Sequence, residues 1–339
     1  MNTSGISIFN PEEKGSFLDP VLKCIGNDLE RVDQEFRKNL RSDVPIISAI
    51  GEHLFQSGGK RLRPILLLLS SKLCGYQGNE HISLASLIEF IHTATLLHDD
   101  VVDRAELRRG MESANSKWGN EACVLVGDFL FTKCFSLMVE NGNRRILQTI
   151  SKATTLMAEG ELEELIKTND LTLTEENYLS VITRKTAALF SAATRIGAIL
   201  GGVTEEKESA LSDFGMDLGI AFQLIDDTLD YTSREEEFGK MIGIDLEDGK
   251  ITLPLIFTLK QCDQEEAAFI EETVESDPVA ETSFLQVVRI IEKYHGLNYT
   301  FEKAKKYIGM AKGHLLCFPH SMEKEALLLL ADYVLERRL

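Results

Sequence analysis

Two aspartate clusters carry the most distinctive chemistry in this sequence. In His92 to Gly110, HTATLLHDDVVDRAELRRG, an apolar helical stretch runs into Asp99, Asp100 and Asp103 and then into Arg108 and Arg109. On a helix of about 3.6 residues per turn, the four-residue spacing of Asp99 and Asp103 projects both carboxylates from one face. Such a face could hold a divalent cation. Magnesium is usually held by one or two carboxylates, waters and substrate phosphates, and the two arginines are suited to those same phosphates. The alternative is that Asp99 and Asp100 only solvate or cap a helix end.

A second cluster weighs against that alternative. In FGMDLGIAFQLIDDTLDY, Asp226 and Asp230 repeat the spacing, with Asp227 and Gln223 within a turn of them. Basic residues follow each acidic helix end. EEEFGKMIGIDLEDGKITLP supplies Lys240 and Lys250 on a glycine-punctuated loop before Pro254. Upstream of both clusters, GGKRLRP sets Lys60, Arg61 and Arg63 on a tight turn before Pro64; standing alone, such a group would usually be solvated surface. Lys185 lies beside TAALFSAATRIGA, among small and apolar residues, and reads as placed rather than merely solvated. Glu159, Glu161, Glu163 and Glu164 could approach a metal site, but a charge run of this kind is more often a solvated face, and they read as structural.

The elements that must position these residues are helices. From Ile65 to Leu253 there is no proline, and the stretch resolves into long amphipathic segments with few β-branched runs. A first helix is expected from near Leu18 and a second from Pro45 to the Ser57-Gly58-Gly59 stop. Long helices are expected over Ser83 to Val102, Trp118 to Glu140, Ile146 to Lys167 and Glu176 to Gly201. The carboxy-terminal third reads as shorter helices with breaks near Asp277-Pro278, Gly296 and Pro319, while residues 1 to 18 read as a loosely ordered lead-in.

Length and composition bound the function without choosing it. At 339 residues the chain can bury a substantial core as one large domain or two ordinary ones. Its six cysteines include no CxxC pair, so neither a zinc site nor a disulfide framework is expected, and a reducing cytoplasm fits best. The amino-terminal MNTSGISIFNPEEKGSF lacks a basic region followed by an apolar core, and no run of 18 apolar residues occurs. The expectation is an unexported protein without an integral membrane segment. A net charge of −18 disfavours nucleic acid and anionic membranes as general partners.

The ordered set GGKRLRP, LLHDDVVD, RRG, the Gly127-Asp128 pair, Lys185-Thr186, FQLIDDTLD and the lysine-bearing loop through GKITLP resembles the trans-polyprenyl diphosphate synthases. The likeness spans most of the chain. It is strongest to the long-chain bacterial members that make octaprenyl to decaprenyl tails for respiratory quinones. One departure lies in EGELEE, because many relatives carry glutamine where Glu164 stands.

The resemblance implies an all-α fold, a single-domain helical bundle over residues 19 to 339 around a central cavity, usually as a homodimer. It implies that Asp99, Asp103, Asp226, Asp227 and Asp230 hold magnesium with an allylic diphosphate, and that Arg108, Lys185, Thr186, Gln223, Lys240 and Lys250 complete that clamp. Lys60, Arg63, His92 and Arg109 are implied to bind isopentenyl diphosphate. In such enzymes product length is governed below the first aspartate motif, which here points to Ala94 and Thr95 and, a turn further, to Ile91. A short- or medium-chain synthase, making farnesyl or geranylgeranyl diphosphate, and a regulatory partner subunit are the competing readings. A terpene cyclase fits less well, because FQLIDDTLD is unlike the second motif of those enzymes.

Overall fold

The computed structural model describes residues 19–108, 110–232, 243–276 and 278–337. The expected lead-in, together with Arg109 and Lys240, lies outside these residues. Among the described residues the chain is helical almost throughout, as the periodicity predicts. It divides into two compact units, each assembled from several stretches of the chain.

The first unit comprises residues 1–152, 189–212 and 315–330. Helix α1 (Asp19–Asn39) carries Val21, Ile25, Leu29, Val32 and Phe36 on one buried stripe, at the three- and four-residue steps that define a helix face. Pro45 opens α2 (Pro45–Gln56), where its missing N–H costs nothing. Helix α3 (Leu62–Leu73) is apolar all round from Ile65 to Leu69 and is fully buried there, as a helix without a polar face must be. Both α1 and α3 pack on α4 (Glu80–Val102), and Phe36 of α1 stacks on Phe90 of α4 with ring centres 4.4 Å apart.

After α4 the chain makes a feature that the sequence does not announce, a small antiparallel hairpin of β1 (Leu107–Arg108) and β2 (Met111–Glu112). Then follow α5 (Ala114–Trp118) and α6 (Asn120–Asn141), which packs along α4. Helix α6 is long and apolar enough to cross a membrane, but only a third of its most apolar window is buried, so its composition reflects an exposed apolar face as well as a core face.

Helix α7 (Arg144–Ile166) enters the second unit at Ala153. That unit comprises residues 153–188, 213–314 and 331–339. Thr174 caps α8 (Glu175–Ile182), its hydroxyl accepting the Asn177 N–H at 3.2 Å. The expected single helix from Glu176 to Gly201 is interrupted: a π-helical turn, Thr183–Ala187, separates α8 from α9 (Ala188–Gly201) and contains both Lys185 and Thr186. An inserted π-turn alters side-chain direction without breaking the helix, and periodicity alone does not reveal it.

Helix α10 (Glu205–Thr232) carries the second aspartate cluster at its end. Short α11 (Ile244–Glu247) and α12 (Leu253–Leu259) follow, then α13 (Gln264–Val274), α14 (Glu281–Lys293), α15 (Gly296–His314) and α16 (Met322–Glu336). Within the second unit α12 packs against α8, α14 and α15, and Phe257 stacks on Tyr299 at 3.9 Å.

Candidate active site

In the first unit the acidic motif sits where α4 runs out. Asp103 ends the helix in near-helical geometry, its N–H donating to the Asp99 carbonyl at 2.8 Å, so the four-residue relation of the two aspartates survives the helix end. Both are half-buried. Arg104 then adopts φ 50, a left-handed conformation that turns the chain back into the hairpin. Asp100 points elsewhere. It is 1% exposed and takes a forked pair of hydrogen bonds from Arg108 Nε, 2.6 Å to Oδ1 and 2.9 Å to Oδ2, reinforced by Nη2. Asp100 thus neither caps the helix nor faces solvent: it fixes the guanidinium of Arg108, on β1, against the end of α4.

Close approach of α6 supports the same region. A Cβ on Gly127 would stand 2.3 Å from His98 Nε2, so any larger residue would push aside this ring, one residue before Asp99. The Gly127-Asp128 pair therefore has a packing reason, with Asp128 3.5 Å from the same ring nitrogen.

The basic turn divides by role. Arg61, in left-handed geometry with φ 49, turns inward to pair with Glu89 of α4 and lies 4.3 Å over the Phe55 ring. It anchors the turn. Lys60 and Arg63 on either side stay half-buried, as does His92, three residues beyond Glu89 and hence on the same side of α4. Further back along α4, Ala94 and Ile91 are wholly buried, and Thr95, half-buried, donates its hydroxyl to the His92 carbonyl.

In the second unit a hydrogen-bonded chain joins three elements. Thr186 in the π-turn donates to Gln223 Oε1 at 2.9 Å, Gln223 Nε2 donates to Asp227 Oδ1 at 2.8 Å, and the Tyr178 hydroxyl of α8 donates to Asp227 Oδ2. Asp227 is 2% exposed; burial pushes its carboxyl up to about 7, with repulsion from Asp226 and Glu164 adding to the effect and the two hydrogen bonds opposing it. Burial, and then Asp227, push the Tyr178 hydroxyl well above its ordinary value.

Asp226 and Asp230 are engaged differently. Arg337, just past the end of α16, reaches Asp226 Oδ1 through Nη2 at 2.6 Å and stacks 4.5 Å over Phe222. Among the described residues its Nε and Nη1 are buried without a hydrogen-bond acceptor. Asp230 Oδ2 accepts the Asp245 N–H at 3.1 Å, and its carbonyl accepts the Gly243 N–H, so it fixes the start of α11 and the loop that carries Lys250. Lys250 Nζ lies 2.9 Å from Asp248, and its N–H donates to the Asp245 carbonyl at 2.7 Å.

The glutamate run corrects its reading as a solvated face. Lys185 Nζ is gripped by Glu161, at 2.9 Å, and by Glu164, while Arg184 faces Glu163 at 3.4 Å. Gly160 permits this, because a Cβ there would meet the Lys185 backbone nitrogen at 2.6 Å. A small open pocket lies alongside, lined in part by Glu164, Tyr178, Gln223, Asp227, Asp245 and Lys250. Arg337 and Tyr178 have no signal in the sequence; Glu161 and Glu164 could have been paired with Lys185 only by knowing that α7 packs on the π-turn.

Residues 44–291 match the family model described as polyprenyl synthetase. The chain is 41% identical over 320 residues to the octaprenyl diphosphate synthase of Haemophilus influenzae, covering 94% of this chain and 97% of that one. Among solved structures it resembles a polyprenyl synthase from Caulobacter crescentus complexed with calcium and isoprenyl diphosphate, with a TM-score of 0.92 and 41% identity over 96% of this chain and 99% of that one. A decaprenyl diphosphate synthase from Rhodobacter capsulatus follows, with a TM-score of 0.90 and 41% identity over 95% and 99% of the two chains.

Proposed function

Because the chain belongs to the polyprenyl synthetase family and is a prenyl-transferring enzyme with the all-α isoprenoid synthase fold, we propose that it adds isopentenyl diphosphate repeatedly to an allylic diphosphate to make a long-chain all-trans polyprenyl diphosphate for quinone side chains. The observation that carries the long-chain reading is the near full-length likeness to an octaprenyl and a decaprenyl synthase.

The donor set suits magnesium. It is made of carboxylate oxygens, and among the described residues no group of three or more His, Cys, Asp or Glu could hold a metal unaided. A hard cation that keeps waters and shares substrate phosphates needs only one or two carboxylates from each motif. Asp99 and Asp103, and Asp226 with Asp227 and Asp230, are the residues assigned to hold it. When bound, magnesium supplies positive charge to the departing diphosphate.

The chain's own residues do the remainder. Arg108, oriented by Asp100, and Lys185, Thr186, Gln223, Lys240 and Lys250 bind the allylic diphosphate and stabilise the charge that grows on it as the carbon–oxygen bond breaks. Lys60, Arg63, His92 and Arg109 hold isopentenyl diphosphate so that its double bond attacks the allylic cation. A proton is then lost to the released diphosphate, and the product is five carbons longer. Water exclusion protects the cation from capture.

The test is a product assay: purified protein, magnesium, labelled isopentenyl diphosphate and a farnesyl starter, with the dephosphorylated products resolved by length. Octaprenyl or longer alcohols are expected. A product that stops at geranylgeranyl would assign the short-chain alternative, and absence of any product would favour a regulatory subunit.

A further inference from the structure

We propose that Glu164 tunes affinity for the allylic diphosphate by competing with that diphosphate for Lys185, a reading that rests on the role assigned to Lys185 above. Three observations carry it. Lys185 Nζ is held by two carboxylates, Glu161 and Glu164, so its single positive charge is outweighed before any anion arrives. The contact is built into the backbone, because Gly160 brings α7 against the π-turn that carries Lys185. Glu164 also lines the pocket that Gln223, Asp227 and Lys250 line, and its charge is felt at both Asp227 and Asp245.

Glutamine at this position could still hydrogen-bond the lysine through its carbonyl oxygen, but without charge. It would leave Glu161 as the carboxylate that still pairs with Lys185 among the described residues. The carboxylate of Glu164 therefore has one specific consequence: a diphosphate must displace it, or approach past it, to reach Lys185. A like charge beside an anion site costs affinity for the anion and leaves a remote site untouched. Glu164 is in this sense a specificity-determining residue, one that raises the concentration of allylic diphosphate the enzyme requires.

The experiment measures binding of inorganic pyrophosphate with magnesium by calorimetry, and the KM of each substrate, for the full chain and for Glu164→Gln, Glu164→Ala and Lys185→Ala. Removing the carboxylate should tighten pyrophosphate roughly three- to tenfold and lower the allylic KM by a similar factor, while the KM for isopentenyl diphosphate stays unchanged. Glu164→Ala guards against a folding defect peculiar to the glutamine variant and separates charge from hydrogen bonding: both variants should move in the same direction. Weaker pyrophosphate binding in the two variants would show Glu164 helping to hold the metal–diphosphate and would overturn the proposal. Lys185→Ala keeps the two levels apart. If it weakens pyrophosphate while the Glu164 variants leave it unchanged, the Glu164 inference fails alone; if it too has no effect, the assignment of Lys185 fails with it.

Discussion

At the scale of single residues, the two motifs use their aspartates unequally. Asp100 is committed to Arg108, Asp227 to Tyr178 and Gln223, and Asp230 to the start of α11, whereas Asp99 and Asp103 share one half-buried helix end. A carboxylate whose main duty is to meet a cation can be replaced by its isosteric amide with little change in fold and a large change in rate. Asp99→Asn and Asp226→Asn should each lower turnover roughly a hundredfold or more; thermal unfolding should be almost unmoved in Asp99→Asn and lowered in Asp226→Asn, which also loses the ion pair with Arg337. Full activity in either variant, or in the presence of a chelator, would sink the metal assignment. Asp100→Asn should behave differently. It strips the charge from a buried partner of Arg108, so it should cost about 3 kcal/mol of stability as well as activity, read from urea unfolding. The spacing rule selected Asp99 and Asp103 correctly as a same-face pair, but it could not say that their neighbour Asp100 faces inward, because that depends on where the hairpin returns Arg108.

At the scale of elements, helix existence was legible and helix continuity was not. The periodicity of α1 follows its buried stripe closely, since that stripe is dictated by local spacing, whereas α4 is buried on every side from Leu84 to Ile91 and shows itself by its apolar length. The hairpin after α4 and the π-turn after α8 were invisible, because each depends on what it packs against rather than on its own residues. Gly160 exposes that dependence. In Gly160→Ala the new methyl would meet backbone at Lys185, which cannot swing aside as a flexible side chain does. The variant should lose about 1–3 kcal/mol of stability and raise the allylic KM, measured by thermal unfolding and steady-state kinetics. A variant as stable and as active as the parent would show that α7 and the π-turn are not so closely joined. Acid should loosen a different set of elements. Asp28 of α1 meets Lys72 of α3 and His81 of α4. Burial alone would raise the Asp28 carboxyl, but hydrogen bonds and charge from Lys72 and His81 outweigh it and hold it below its ordinary 3.8. Burial is the first cause of the lowered His81, against the pull of Asp28. In both cases the unfolded chain binds protons more readily than the folded one, so stability rises with pH through each window. Urea unfolding should show stability falling below pH 6.5 as His81 protonates preferentially in the unfolded chain, and again below 3.8 through Asp28. Asp28→Asn should abolish the lower step; an unaltered lower step would mean that other carboxylates produce it.

At the scale of the whole molecule, the feature still to be satisfied is the outer face of α6. Val124, Leu125, Phe135 and Val139 are 38, 67, 60 and 75% exposed, and at about 100° per residue they fall within a single stripe covering roughly a third of the helix surface. The opposite side of α6, with Cys123, Val126, Leu130, Cys134 and Met138, is buried. Apolar residues on both sides are what let this helix pass the length and hydropathy test for a membrane span, yet Glu121 and the Asp128 that faces His98 lie on the exposed side, where a bilayer would penalise them. A protein surface tolerates such charges at the edge of a contact, and we propose a second copy of the chain as its occupant, the homodimer that the family resemblance implies. In a two-fold dimer every contact occurs twice, so a side chain whose burial contributes about 1.5–3 kcal/mol counts for ~3–6 kcal/mol of association. Phe135→Asp should therefore weaken dimerisation by roughly two to four orders of magnitude. Light scattering at micromolar protein should give twice the chain mass for the parent and the chain mass for the variant, with helical circular dichroism unchanged. A parent that scatters as a single chain, or a Phe135→Asp variant that remains a dimer, would remove α6 from the interface.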